Sequence, residues 1–339
     1  MRRSFLTPIA GTLCLLFAAS AVAAQESPLQ AFRGADILTL QPSEGEARIE
    51  LPGGRVLRVP LPERADLSSF AALDGGWVAV GSVPDAAGGR KLFLLRGNDK
   101  ASRPLPEPPG QEGRDRRGAV LLVDHGRLAG LAWLEGDDPR SLAVRSAVWT
   151  GQKWGAPERA SFPGPGSQLA LAGAVLADGS WLLAWSAFDG EDDEIVWARR
   201  SGDAWQPVER LSPGNHVPDI TPAVTATAGG ALIAWSRYDG EGYQLRVARF
   251  ARGLWTGERA AAKSGSLYPG FVGGSRLLYL DASPRAWSVL DLDGEGRAKA
   301  RASVLSAAPE RPAVSFDGAT VRMRWPGRKA LAAPLERVP

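Results

Sequence analysis

The chain has 339 residues, with 40 lysines and arginines against 37 aspartates and glutamates, two histidines and one cysteine. A single cysteine excludes an internal disulfide framework, and two histidines argue against a histidine-rich zinc site. A net charge of +3 gives no electrostatic support for a nucleic-acid partner.

The N-terminus predicts export. Arg2 and Arg3 precede a short apolar stretch over residues 9–19, and small residues at 21–23 are typical of a cleavage site. We therefore predict a signal peptide over residues 1–24, cleaved near Ala23 or Ala24, and a periplasmic or secreted protein. General secretion is the favoured route and twin-arginine export the alternative. A membrane span needs roughly 20 apolar residues, so we expect no transmembrane segment in the mature protein.

Tryptophans recur at a constant period along the chain. Trp133, Trp185 and Trp235 end similar apolar phrases and are spaced by 52 and 50 residues. A second set follows about twenty residues later, at Trp154, Trp205 and Trp255, spaced by 51 and 50 residues. Two markers that repeat together near a period of 50 predict a propeller or a solenoid.

One repeat contains four short strand patterns. Over residues 222–259 the chain alternates, turns at a Gly-Gly pair, runs through an apolar strand, turns at Asp239-Gly240, alternates again and opens a last strand at Trp255. Asp-Gly is a strong hairpin signal, and four antiparallel strands with regular turns predict one blade. The tryptophans are interpreted as packing between blades.

The whole chain is predicted to be all-β, with a cleavable signal peptide followed by a single β-propeller domain over residues 25–339 and minimal helix. Six copies are recognised, and residues 35–62 either close the ring or form a degenerate blade. We favour six four-stranded antiparallel blades, with seven as the alternative. The copies cover residues 66–110, 117–162, 168–213, 220–262, 265–306 and 311–336.

Polar residues gather where function is expected. In a four-stranded blade, the loops joining strands two and three share a face with the links between blades, and converging loops commonly form binding sites. The residues predicted to bind a ligand on this face are Asp189, Glu191, Asp193, His216, Asp219, Tyr238, Asp239 and Tyr268. The simpler interpretation is that Asp-Gly pairs only form turns and that the acidic loop is only solvated. The repeated Glu-Arg pairs, such as Glu258-Arg259, are interpreted as solvated edge charges.

No catalytic residue, metal or other cofactor is predicted. The chain has no Gly-x-Ser-x-Gly elbow to accompany His216 in a triad. Calcium at the acidic cluster over residues 189–194 is the one alternative, but its spacing does not match the EF-hand pattern.

Residues 181–211 and 231–259 resemble the sialidase-like, BNR-type repeats of secreted bacterial propellers. They share a Trp-Ser-x-x-Asp-Gly hairpin, a strand ending in Ala-Arg, then Gly, Trp and a closing Glu-Arg. The resemblance implies the propeller fold. Sialidase activity would also require an arginine triad and a Tyr-Glu nucleophile, and the Arg-Ile-Pro motif that supplies the first arginine is absent. Tyr268 alone resembles a nucleophile by position.

Three functions therefore remain open. The favoured one is a monomeric, non-catalytic propeller that binds a protein or cell-envelope partner through its loop face. A lectin that binds a cell-surface glycan would repeat one aromatic and arginine set at every blade junction. A divergent glycoside hydrolase would show one unrepeated acidic cluster, with two carboxylates roughly 5 to 9.5 Å apart across a cleft.

Overall fold

The structure is a computed structural model that describes residues 27–338 except 35, 139, 162–167, 213–214 and 307, and it omits the side chain of Ser264. The predicted signal peptide, residues 1–24, lies outside the described residues. Among the described residues, the only helical element is a 3-10 turn at Pro52–Gly54. The described part of the chain contains no helix with the length and apolar character needed to cross a bilayer.

Seven antiparallel sheets follow one another along the chain and form the blades of a propeller. Blade 1 has β1 (Leu29–Arg33), β2 (Asp36–Ser43), β3 (Glu46–Glu50) and β4 (Val56–Pro60). Blade 2 has β5 (Asp66–Leu73), β6 (Gly76–Pro84), β7 (Arg90–Gly97) and β8 (Ser102–Leu105). Blade 3 has β9 (Asp115–Asp124), β10 (Arg127–Gly136), β11 (Ala143–Val148) and β12 (Glu158–Arg159). Blade 4 has β13 (Gln168–Val175), β14 (Trp181–Phe188), β15 (Asp193–Ser201), β16 (Ala204–Trp205) and β17 (Glu209–Arg210).

The remaining blades continue the order. Blade 5 has β18 (Asp219–Thr227), β19 (Gly230–Tyr238), β20 (Tyr243–Ala251) and β21 (Leu254–Ser264). Blade 6 has β22 (Ser266–Phe271), β23 (Arg276–Ala282), β24 (Arg285–Leu292) and β25 (Ala298–Leu305), and blade 7 has β26 (Ala313–Asp317), β27 (Thr320–Arg324) and β28 (Leu331–Pro334). The short final strand β29 (Glu336–Arg337) pairs with β25.

The all-β propeller is confirmed, and the number of blades is seven, the alternative, rather than the favoured six. The N-terminal segment forms a complete four-stranded sheet instead of lending a strand to the last copy. Its strands are short and its Trp phrase is missing, which is why the sequence pattern undercounts it. Blade 7 has three strands among the described residues, and its neighbour β25 takes the chain's last strand.

First and last blades meet through a side chain. The Gln30 amide donates to the Val314 carbonyl at 2.9 Å, and the Gln30 side-chain oxygen accepts the Val314 N–H at 2.8 Å. Phe32 packs against the apolar cluster that blades 6 and 7 share. The ring is therefore closed by packing and a pair of hydrogen bonds, with no strand common to blades 1 and 7 in the described chain.

The core lies between blades. Trp133, Trp185 and Trp235 are at most 1% exposed, and each belongs to a cluster with apolar residues of the preceding blade. Tyr279 occupies the same place in blade 6 and is fully buried. Burying aromatic rings of this size at each junction supplies much of the hydrophobic stabilisation that a chain without disulfides needs.

The second tryptophan set also contacts the preceding blade. The Trp154 indole N–H donates to the Pro106 carbonyl at 2.7 Å, and that of Trp205 donates to Ser146 Oγ at 3.0 Å. Trp255 packs edge-on against Trp197, with ring centroids 6.1 Å apart. These outer rings therefore seal blade junctions.

A backbone irregularity repeats in the innermost strands of blades 3 to 6. In each, two residues lie opposite the single large aromatic residue of the second strand, as at 221 and 222 opposite Trp235. The first of the two has a positive φ in every case: Gly118, Ala170, Thr221 and Tyr268. Such a bulge makes one strand locally longer than its partner and increases its twist.

Candidate binding site on the loop face of blades 4 and 5

The antiparallel order of each blade places the hairpin between its second and third strands on the same side as the link to the next blade. We call this side the loop face. In blades 4 and 5 it carries the hairpins 188–193 and 238–243 and the described residues of the link between the blades, 211–212 and 215–218. Seven of the eight residues predicted for the site belong to these segments or to β18, which leaves the link, and the eighth, Tyr268, lies in β22 of blade 6.

Asp189 organises the first hairpin. Its Oδ1 accepts the backbone N–H groups of Glu191 at 2.8 Å and Asp192 at 3.3 Å, and its Oδ2 accepts Arg210 Nη2 at 2.6 Å. Hydrogen bonds to the ionised carboxylate lower the pKa of Asp189, and the bond from the Glu191 N–H has the largest effect. Glu191 itself is exposed, and its Oε2 lies 3.2 Å from Nδ1 of the exposed His216.

Asp219 starts the innermost strand of blade 5 and is fully buried. Its carboxylate accepts two hydrogen bonds from Arg237, at 2.8 and 2.7 Å, and one from the Trp235 indole N–H at 3.1 Å. Asn215 Nδ2 donates to the same carboxylate at 3.1 Å. Asp219 is therefore a structural anchor of blade 5, fully engaged by its own protein and hidden from any ligand.

Arg237 also bridges to the outer strand. Its Nη1 donates to Glu258 Oε1 at 2.6 Å, and Glu258 accepts further bonds from Arg246 at 2.8 Å and Ser212 at 2.6 Å. Burial acts to raise the pKa of Glu258, but the Ser212 bond and the two arginines outweigh it and lower that pKa. Glu258 is an exposed charge on the outer strand, as interpreted from the sequence, but it also completes an ion network.

Tyrosines lie beside the acidic residues. The rings of Tyr238 and Tyr243 meet edge to face with centroids 5.6 Å apart, and Asp239 bonds the backbone of its own turn. Burial raises the pKa of Tyr243, and the neighbouring charges of Asp193, Tyr238 and Tyr268 add to the effect. Tyr268 is half-buried in β22 and packs on the core of blades 6 and 7.

Two residues absent from the predicted set complete the acidic hairpin. One carboxylate oxygen from each of Asp189, Asp192 and Glu194 lies within 4.8 Å of the other two. Burial, followed by the charges of Asp219 and Asp192, raises the pKa of Glu194 to about 7. Residues 194–198 of β15 are all buried, so the signal that could have found Glu194 is a carboxylate at the start of an otherwise apolar buried strand.

The clustered carboxylates all come from the hairpin of blade 4 and the strand that leaves it. Asp189, Asp192 and Glu194 cluster on one side, whereas a glycoside hydrolase places its two carboxylates across a cleft. The side chain of Glu194 is only 1% exposed, so a substrate cannot reach it directly. The exposed members of the face are Glu191, His216, Tyr238, Asp239 and Glu241.

No known protein-family model matches the chain, and no curated protein matches it either. Solved structures do. A puromycin-hydrolysing peptidase of Mycobacterium tuberculosis superposes with a TM-score of 0.57 at 16% identity, covering 92% of this chain and 52% of the peptidase. Streptogramin B lyase gives 0.56 at 11% identity over 92% of this chain and 95% of the lyase. A protein of unknown function from Dyadobacter fermentans gives 0.50 at 13% identity, over 82% and 96%.

These identities show the fold alone. The chain spans about half the length of the peptidases it matches, 52% and 46% of them. The matches identify the class as β-propeller, while the resemblance to sialidase-like repeats stays a prediction.

Proposed function

We propose that the protein is a non-catalytic binding propeller that holds a basic segment of a protein partner on the loop face of blades 4 and 5. The observation that carries the proposal is charge. The hairpins 188–193 and 238–243 contain six acidic residues and no basic one: Asp189, Glu191, Asp192, Asp193, Asp239 and Glu241. Concentrated charge of one sign steers an oppositely charged partner and favours its binding.

Most of the other hairpins of this face differ. The corresponding hairpin of blade 2 contains Arg90, that of blade 3 contains Arg140, that of blade 6 contains Arg285 and that of blade 7 contains Arg328 and Lys329. The hairpin of blade 1 has two acidic residues, Glu44 and Glu46, and no basic one, so blades 4 and 5 form the larger acidic group with six. A lectin that uses every blade junction would repeat its site, which favours a single protein partner over repeated glycans.

Exposed tyrosine supports a contact surface. Tyr238 is 36% exposed and is oriented by its neighbour Tyr243. Tyrosines are enriched in interfaces because they offer a large ring and a polar tip at small entropic cost. A tyrosine beside carboxylates suits an arginine- or lysine-rich peptide, since the ring packs on the cation while the acids neutralise it.

Catalysis has less support. The buried carboxylates at this face are engaged by Arg237, Asn215 and Arg210 or are covered, and the sialidase motifs that the repeat resemblance would require are missing from the sequence. Export to the periplasm or beyond the cell, as predicted from residues 1–24, belongs to the same proposal. It would present the acidic face to envelope or secreted partners.

The test is a charge reversal with a matched control. Binding of the protein without residues 1–24 is measured on arrays of lysine- and arginine-rich peptides and of glycans. Glu191→Lys with Glu241→Lys should weaken binding of the selected basic peptides at least tenfold. Asp203→Lys with Asp317→Lys changes the charge equally on the opposite side, at turns 107% and 73% exposed, and should leave binding within threefold.

Two results would overturn the proposal. Equal losses in both double variants would mean that net charge, and no particular face, governs binding. Selective binding to glycans without binding to basic peptides would favour the lectin.

A further inference from the structure

The hairpin between β14 and β15 brings three carboxylates together. One oxygen from each of Asp189, Asp192 and Glu194 lies within 4.8 Å of the others. Calcium binds oxygen ligands at about 2.3 to 2.6 Å, so two oxygens on one calcium ion are separated by at most about 5 Å. The observed separations are within this limit, so small side-chain movements would let the three oxygens share one ion.

Glu194 supplies an independent observation that points to a ligand. Its side chain is 1% exposed and directed into the group. Its Oε2 accepts a long bond from Asn215 at 3.4 Å, but its Oε1 is buried and has no hydrogen-bond partner. The closest cation, Arg210 Nη1, is 4.0 Å away, which is beyond hydrogen-bond distance. A buried carboxylate oxygen without a donor is unfavourable unless another group satisfies it.

The charges around the group are unbalanced. Arg210 is directed to Asp189, and Arg237 is fully engaged by Asp219 and Glu258. The three carboxylates therefore share one arginine, Arg210, within ion-pair distance. Asp192 also faces the acidic neighbours Asp189, Asp219 and Glu191. A divalent cation would remove this excess charge.

We propose that Asp189, Asp192 and Glu194 bind one calcium ion. The ligands are all oxygens, which suits a hard cation, and hairpin geometry suits calcium because its coordination is less strict than that of magnesium. Magnesium binds oxygens at about 2.0 to 2.1 Å, so its ligands must approach more closely. Water completes the coordination. The calcium site is argued without the partner proposed above, but Asp189 and Asp192 belong to both, so the ion would neutralise two of the six acidic residues of that surface.

Binding would have a structural consequence. Asp189 holds the hairpin turn and Arg210 of β17, while Glu194 is linked through Asn215 to the segment before blade 5. An ion that joins the two carboxylates ties the hairpin of blade 4 to the link that enters blade 5. The loop face would then be more rigid with calcium than without it.

Calcium binding is tested by calorimetry on the protein lacking residues 1–24 after removal of metal with a chelator. We expect one calcium ion per chain, bound at least tenfold more tightly than magnesium. Asp192→Asn removes one proposed ligand and should reduce calcium affinity at least tenfold. The variant should still fold, because among the described contacts Asp192 takes part in the turn through its backbone and its carboxylate makes no hydrogen bond. The matched control is Glu191→Gln, which removes one charge from the same hairpin outside the group and should reduce affinity by at most threefold.

A second variant separates binding from folding. Glu194→Gln removes the buried charge and can donate to Asp189 or Asp192, so it should raise the melting temperature of the metal-free protein. The same variant should abolish the increase in melting temperature that calcium gives the unchanged protein. The proposal is overturned if calcium does not bind, if magnesium binds as tightly, or if Asp192→Asn and Glu191→Gln weaken calcium binding equally.

Discussion

Blades 4 and 5 share a sequence phrase but distribute their charge differently. In blade 5 the Trp235 indole N–H bonds to buried Asp219, which Arg237 neutralises. In blade 4 the same backbone positions hold Gln168 and Ala187, and the indole N–H of Trp185 has no partner. A groove of about 630 Å³ lies there, lined by Trp185, Ala187 and Val196 among others.

The charge of blade 4 lies closer to the loop face. Glu194, opposite Ala187, carries a carboxylate where blade 5 has Gln244 opposite Arg237. Blade 5 therefore uses its ion pairs to hold its own strands, whereas blade 4 leaves a buried carboxylate incompletely satisfied. Repeated blades can therefore keep the same buried tryptophan and still differ in the position of their charged side chains. This difference gives the two blades separate roles.

The largest effect is expected from breaking the ion network of blade 5. Arg237→Met leaves buried Asp219 without its ion-pair partner, and removal of one partner from a buried ion pair costs about 3 to 5 kcal/mol. The free energy of urea unfolding measures it. Arg210→Met in blade 4, studied without calcium, removes a pair whose arginine is 44% exposed, and should cost at most about 1 kcal/mol. Equal costs would contradict the contrast between the blades.

A second prediction transfers an ion pair into blade 4. Blade 3 has Glu135 and Arg145 at the positions of Ala187 and Val196, 3.3 Å apart, and Glu135 accepts the Trp133 indole N–H at 3.1 Å. Ala187→Glu alone should destabilise by about 2 kcal/mol, because it buries an unpaired charge. The double variant with Val196→Arg should be destabilised by about 1 to 3 kcal/mol less than the sum of the two single variants. A double-mutant cycle measures this coupling energy. Strict additivity would show that blade 4 cannot accept the pair.

The third prediction isolates one hydrogen bond. Trp185→Phe and Trp235→Phe remove similar volumes from equally buried places, but only the second removes a bond, the one to Asp219. Trp235→Phe should therefore be more destabilising by about 1 kcal/mol, the usual net contribution of such a bond or slightly more. Paired urea titrations measure the difference, and a larger cost at Trp185 would be contrary to this account.

The smallest effect concerns acid. The pKa of Glu258 is lowered from its ordinary 4.5, so its contribution to stability is present above that value and is lost as pH falls through the lower folded pKa. The free energy of unfolding falls between about pH 6 and pH 3, and in the Glu258→Gln variant this fall should be smaller by up to about 1 kcal/mol. Glu209→Gln, at an exposed Glu-Arg pair of blade 4, should leave the pH profile unchanged. Identical profiles for both variants would argue against the network.

The sequence predicted most of the architecture because its large residues repeat. Three blades were located from Trp133, Trp185 and Trp235, because few other residues can replace a large ring buried at a blade junction. Blade 1 was undercounted because it lacks that marker and has shorter strands. Asp219 was selected for its loop position, but the structure buries it beneath Arg237. Such contacts join strands eighteen or more residues apart, so periodicity does not reveal them.

The bulge of the innermost strands has a consequence for how the propeller can diversify. Gly118, Ala170, Thr221 and Tyr268 share one left-handed backbone conformation although their side chains share nothing. Only glycine adopts this conformation without a steric cost, so the surrounding fold must offset that cost at the other three positions. The backbone shape is thus inherited from the fold, while residue identity is released. These positions lie beside the axis of the ring, and their four different side chains show that blades can differ there while they keep one backbone shape.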